Sequence, residues 1–176
     1  MSGIVAFHLG AGNHSEKNKL SYKRLCVQTA RKLKKELSAG VAALDIVTKC
    51  TTLLENSPLT NAGIGSNLTS NGTVECDASV MDGARCISGA VGAVSGLPNP
   101  VLVAKSLAID QTVAQPLGRV LPCILVGEGA LMYASERGIP TADPRSLVTR
   151  QALKSLRKCK RKLQSSNNRL PVSVDT

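Results

Sequence analysis

The chain has 176 residues, 43% of them hydrophobic but only 2% aromatic, enough apolar material for one ordinary domain with an aliphatic core rich in Ala and Gly. Its net charge of +10 is unevenly placed: residues 145–169 hold nine Lys/Arg and no acid, and the rest hold thirteen Lys/Arg against twelve Asp/Glu. No apolar run approaches the roughly 20 residues of a membrane span, and the opening segment is too short and too poor in basic residues for a secretory signal, so the sequence predicts a protein that is neither exported nor embedded in a membrane.

Residues 3–7, Gly-Ile-Val-Ala-Phe, read as a short buried strand that runs into His8-Leu9-Gly10-Ala11-Gly12. Gly-x-Gly without the third glycine is a weak dinucleotide signal. Residues 16–37 then show a helical face of Tyr22, Cys26, Ala30, Leu33 and Leu37, with Ser15 as N-cap and Gly40 just past the end. Residues 41–55 carry few charges and predict a more buried helix, stopped by Pro58. Beyond the next loop, residues 86–95 form a Gly/Ala-rich strand whose small side chains admit another backbone closely. Asn99-Pro100 opens a helix through Ile109. Residues 110–118 are a polar loop, residues 120–126 an apolar strand, and residues 127–138 a helix that stops before Pro140.

Residues 145–164 place leucines among basic groups and predict a helix, and residues 165–176 read as a flexible linker. The cluster Arg157-Lys158-Cys159-Lys160-Arg161-Lys162 has three readings: a solvated helix face, a nucleic-acid contact or a nuclear import address. The six cysteines are scattered without a Cys-x-x-Cys pair, which argues against zinc and for reduced thiols. The Asn-x-Ser/Thr triplets at Asn13, Asn67 and Asn71 then read as chance matches rather than glycosylation sites.

Residues 57–83 are the stretch on which function turns, because nearly every residue there is small, a turn former or a short polar group. Gly63, Gly65, Gly72 and Gly83 permit close backbone approach, while Asn61, Ser66, Asn67, Asp77 and Asp82 can bond nearby backbone. Asn71-Gly72 predicts a two-residue hairpin turn with Thr73 to Cys76 after it. Composition alone favours a merely tight structural turn.

The order of motifs is more specific. Thr60-Asn61-Ala62-Gly63-Ile64-Gly65-Ser66-Asn67, then Gly72, Glu75 and Asp77-Ala78-Ser79-Val80-Met81-Asp82-Gly83, resembles the asparaginase-type N-terminal nucleophile (Ntn) hydrolases. Ser66-Asn67 and Glu75-Cys76-Asp77 look most like the threonine aspartase (taspase) branch. The resemblance implies an α/β fold, with residues 1–144 forming half of a four-layer αββα sandwich. It also implies that the precursor cuts itself at an Asp-Thr bond, here Asp175-Thr176. The freed Thr176 amine would serve as base to its own hydroxyl, the nucleophile. By the same resemblance Asn61 lies beside that nucleophile and Gly10, Ala11 and Gly12 support the processing site. Leu54, Glu55, Ser57, Thr60, Ala62 and Ile64 match a backbone loop that holds a structural sodium ion; no other cofactor is implied.

Three functions follow as expectations. A threonine endopeptidase of this branch would cut nuclear regulatory proteins after Asp, with Arg157, Lys158, Lys160, Arg161 and Lys162 directing import, in an αβ heterodimer or its dimer distributed between nucleus and cytoplasm. An asparaginase or isoaspartyl peptidase shares most of the same motifs. A non-catalytic nucleic-acid module would explain residues 145–169 and little else, since stacking aromatics are nearly absent.

A Thr that ends the chain cannot act as base while its nitrogen is acylated. The 176-residue chain alone is therefore expected to lack Asp-specific peptidase activity, and its unpaired sheet edge to limit its solubility. Assaying it on a Val-Asp-Gly peptide, alone and with an added β half beginning at Thr, checks this; turnover by the lone chain overturns it.

Overall fold

The computed structural model describes residues 3–10 and 16–167. Its frame is a three-stranded sheet, β1 (Cys76–Asp82), β2 (Ile87–Val94) and β3 (Ile124–Val126), in the order β1-β2-β3. β1 runs antiparallel to β2, and β2 pairs in parallel with β3. A parallel pair needs a crossover connection, and α3 (Pro100–Asp110) lies in it.

Side chains alternate between the two faces of a strand. Val80 and Ile87 pack with Val101, Ala104 and Ala108 of α3, and Cys76, Val91 and Val94 pack with Val103 and Leu107. Strand and helix approach closely because residue 89 is glycine: a Cβ there would lie 2.0 Å from the Ala104 oxygen and 2.6 Å from the Ala108 nitrogen. α3 is buried on almost every side, which its apolar sequence permits. Leu44 of α2 (Ala43–Glu55) joins one cluster and Ala130 and Ala134 of α4 (Gly127–Glu136) join the other. α1 (Lys19–Ser38) lies on α2, burying Leu33 with Ile46 and Cys50. α5 (Arg150–Asn167) follows a short 3-10 turn, Pro144–Leu147.

The second face of the sheet is open. Met81, Ile124 and Val126 are 67%, 59% and 63% exposed there, among the small residues Ser79, Ser88 and Ala90, which the register places on the same side. Helices on one face and a bare second face make half of a layered sandwich.

A bulge disturbs β2 near its end. Cys76 pairs with Val94 but Ala78 with Val91, so β2 has one residue more than β1 across this step. Ala93 takes a φ of +49°, and its N–H donates to Asp77 Oδ1 at 2.8 Å. The extra residue turns Val94 back toward the core, where strict alternation would have placed Ala93.

Several expectations change. Residues 3–10 are not a strand, although Val5, Phe7 and Leu9 are half-buried and the residues between them exposed. The alternation holds, but no neighbouring strand among the described residues supplies a ladder; Val5 and Phe7 instead pack on the Leu33 cluster. Residues 120–123 also lie outside β3, and Val120 is 94% exposed. The helices at residues 16–37 and 41–55 were both expected to cover the sheet; α3 is its main cover, α2 contributes Leu44, and α1 lies on α2 instead. In α1, Thr29 is buried where Ala30 was expected, and the N-cap is Asn18; Ser15 lies outside the described residues.

The hairpin after residue 68 has a three-residue loop rather than two. The Thr69 N–H donates to the Thr73 oxygen at 2.9 Å, and the Gly72 N–H donates to the Thr69 oxygen at 3.0 Å. Gly72 takes a φ of +87°, the left-handed last position that such a loop requires. α5 runs to Asn167, taking in the first residues of the segment read as a linker.

Gly89→Ala would force β2 away from α3. The expected loss of stability is about 1–3 kcal/mol, the usual range for overpacking. Urea unfolding measures it, with Gly83→Ala, where a Cβ meets nothing within 4 Å, as the near-neutral control.

Candidate functional site

The end of α2, the loop after it and the start of α3 meet at one buried carboxylate. Glu55, the last residue of α2, is 2% exposed. Its Oε1 accepts the Val101 N–H at 3.2 Å and its Oε2 accepts Asn99 Nδ2 at 3.2 Å. Val101 is in the first turn of α3, so Glu55 caps that helix from another element. The sequence suggested that Asn99 would cap with its own side chain. Asn99 does occupy the N-cap position but makes no side-chain cap bond; it donates to Glu55 and, at 3.0 Å, to Asn56 Oδ1. Burial pushes the Glu55 carboxyl up to about 7, against the bonds from Asn99 and Val101 that favour its ionised form.

The loop folds back on this point with little room to spare. A Cβ at Gly63, whose φ is +54°, would lie 2.4 Å from the Glu55 backbone oxygen. One at Gly65 would lie 2.0 Å from the Thr60 oxygen and 2.6 Å from the Ser57 oxygen. The Thr60 hydroxyl reaches the Leu54 oxygen at 2.5 Å and the Ser57 oxygen at 3.1 Å. Ser66 ties the loop to β1 through a 3.2 Å contact between its Oγ and Cys76 Sγ. Of the six residues read as an ion-holding loop, Leu54 and Ser57 have backbone oxygens that accept the Ser57 and Thr60 N–H groups at 3.1 and 3.4 Å besides the Thr60 hydroxyl. Neutral oxygens of this kind suit a hard cation and not zinc. The Ala62 oxygen is engaged by the Gly65 N–H at 3.1 Å.

Asn61 lies on the outer side of this loop. Its Oδ1 accepts the Asn67 N–H at 2.8 Å. That bond fixes the amide orientation and leaves the two Nδ2 donors for another partner. Asn61 and Asn67 line two cavities. One, of about 280 Å³, also has Glu55, Ser66, Cys76 and Asp77 in its wall. The other, of about 760 Å³, lies between the loop, residues Leu9 and Gly10, and the starts of α1 and α5.

The structure therefore brings Asn61 and Gly10 to one cavity wall. Ala11, Gly12, Asp175 and Thr176 lie outside the described residues. Gly10 takes a φ of +93°, and its N–H donates to His8 Nδ1 at 3.3 Å. Arg157, Lys158, Lys160, Arg161 and Lys162 are all exposed on the free half of α5, away from this loop. The capping role of Glu55 was missed. Its only signal was an acid at the end of an otherwise apolar helix. The bulge-fixing role of Asp77 left no signal short of the register itself.

The asparaginase family model matches residues 1–175. The chain is 37% identical to the isoaspartyl peptidase/L-asparaginase of Mus musculus over 173 residues, which is 98% of this chain and 50% of that protein. It is 38% identical to the isoaspartyl peptidase of Escherichia coli over 83% of this chain and 44% of that protein. A plant-type L-asparaginase of Pyrococcus furiosus is 40% identical over 70% of this chain and 37% of its own length. The chain thus spans about half the length of the curated relatives it matches.

A carboxyl that holds its proton more tightly when folded contributes stability below its unfolded value and loses it as pH rises through its folded value. For Glu55, moving from 4.5 to about 7, stability should fall by about 3 kcal/mol between those pH values. Denaturant unfolding across that window checks this, and Glu55→Gln should flatten the slope.

Proposed function

The chain belongs to the asparaginase family of N-terminal nucleophile hydrolases, and we propose that it is the N-terminal part of an amide hydrolase acting at Asp- or Asn-derived bonds. The observation that carries this is Asn61, its Oδ1 held by Asn67 and its Nδ2 donors left over, beside Gly10 at the wall of one polar cavity. Positioned donors of this type stabilise oxygen charge as an acyl group is transferred. The nucleophile is Thr176, released at Asp175-Thr176 as the first residue of a following β part, with its own amine as base. Isoaspartyl and asparagine substrates are the first choice, because the relatives bear those names.

The β part is proposed to cover the open sheet face. Met81, Ile124 and Val126 supply the apolar contacts there, and Ser79, Ser88 and Ala90 are small enough for a second sheet to approach. The loop formed by Leu54, Glu55, Ser57, Thr60, Ala62 and Ile64 would hold a sodium ion by its backbone oxygens, and that charge would stiffen the segment before Asn61.

A second reading, an endopeptidase of the threonine aspartase branch cutting proteins after Asp, is favoured by α5. From residue 157 to residue 166 every side chain of that helix is exposed. A long basic arm adds nothing to the turnover of free asparagine, but it suits a macromolecular substrate. The cluster from Arg157 to Lys162 would then also serve as an import address.

The test is to produce the chain joined to a β part that begins at Thr176. Its rates are then compared on asparagine, a β-aspartyl dipeptide and a Val-Asp-Gly peptide. Asn61→Ala should lower kcat by about 10²-fold, the scale of a lost positioned donor. A dominant rate on the Val-Asp-Gly peptide selects the second reading, and a full rate with Asn61→Ala removes Asn61 from the site.

A further inference from the structure

We propose that the larger cavity and one basic face of α5 form a continuous surface that binds an acidic peptide segment. This deepens the proposed function and rests on it only in taking the substrate to be peptidic. The cavity of about 760 Å³ has Thr60 and Asn61 on the loop side, Lys17 in the 3-10 turn before α1, Tyr22 at the start of α1, and Gln151 and Ser155 on α5. Lys17 is the one charged residue among its described lining residues, which include no carboxylate.

The surface does not stop at the cavity mouth. Residues three and four apart on a helix share a face, so Gln151, Ser155, Lys158 and Lys162 form one row. The row is about 16 Å long at 1.5 Å per residue, and about 10 Å of it lies beyond the cavity wall. An extended peptide rises about 3.3 Å per residue, so about five residues fit along it.

The first half of the row is fixed in place. Ala152 is buried, Leu153 and Leu156 are half-buried, and the Ala152 N–H donates to Thr149 Oγ1 at 3.1 Å. The second half is solvated on all sides. α5 has seven Lys/Arg and no Asp or Glu, so Lys158 and Lys162 have no opposite charge within the helix and repel each other one turn apart. An acidic segment running from the cavity would neutralise both and meet Lys17 at the start. Nucleic acid fits less well, because Tyr22 is the one aromatic ring at the cavity and single-stranded bases need stacking surfaces.

Fluorescence anisotropy with the full chain tests this. One labelled Val-Asp-Gly peptide carries a flanking run of Asp and Glu, and the other carries Asn and Gln in the same places. The acidic peptide should bind about tenfold more tightly at low salt, with the preference shrinking at high salt. The double variant Lys158→Gln with Lys162→Gln should abolish most of the preference. Arg157→Gln with Lys160→Gln removes the same charge from other faces and should leave it, with thermal melts confirming that both variants fold. Equal loss in the two pairs, no preference at all, or tighter binding of a DNA duplex than of the acidic peptide would overturn the proposal. The readout needs no turnover, so failure of the amide-hydrolase reading appears separately, as an inactive αβ assembly that still prefers the acidic peptide.

Discussion

The architecture depends on a carboxylate taken out of water. Glu55 ends α2, caps α3 through the Val101 N–H and holds Asn99, while its own backbone oxygen presses on Gly63. The end of α2, the loop after it and the start of α3, more than 40 residues on, are therefore fixed by one residue. Burial alone would make an ionised carboxylate there costly, and the donors at the helix start offset part of that cost. The balance leaves the group near neutrality in pH, so the joint between α2, α3 and the glycine loop is sensitive to protonation.

The sheet is organised from that joint outward. α3 sits against β2 because Gly89 removes the side chain that would hold the backbones apart. At the cavity that Glu55 also lines, Asp77 fixes the bulge by accepting the Ala93 N–H, which returns Val94 to the core. At the other end of α3, Asp110 joins that helix to α4. It accepts a 2.6 Å bond from the Tyr133 hydroxyl and a 2.8 Å bond from Arg137 Nη1. Burial there works against the charge, but Arg137 and Tyr133 outweigh it and hold the carboxyl below its usual range. Two acids thus clamp the same helix at its two ends, one partly protonated near neutral pH and one ionised.

These fixed points leave two surfaces unengaged by the described part of the chain. One is flat and apolar, the face of Met81, Ile124 and Val126. The other is narrow and basic, the outer half of α5. Among the described residues no helix is long and apolar enough to cross a membrane. The two surfaces differ in chemistry and lie on different elements, so they call for different occupants. A second layer of structure suits the first, and an extended anion suits the second.

The amino-acid sequence by itself determines much of this. The order of Thr60, Asn61, Gly63, Gly65, Ser66, Asn67 and Asp77 identifies the family type, because close backbone packing admits few substitutes for glycine and short polar side chains. Helical periodicity locates α1, low charge with cap and stop residues locates the next three helices, and the basic bias of residues 145–169 marks α5. Three features depend on tertiary structure. Residues 3–10 alternate like a strand yet form none, since a ladder requires a partner edge that periodicity cannot reveal. The cap of α3 comes from Glu55, 46 residues earlier in the chain than Val101, because a buried N-terminus takes whichever acceptor the fold delivers. The meeting of Asn61, Gly10, Lys17 and Ser155 around one cavity joins four separate segments, and only the packing of the helices on the sheet sets the distance between them.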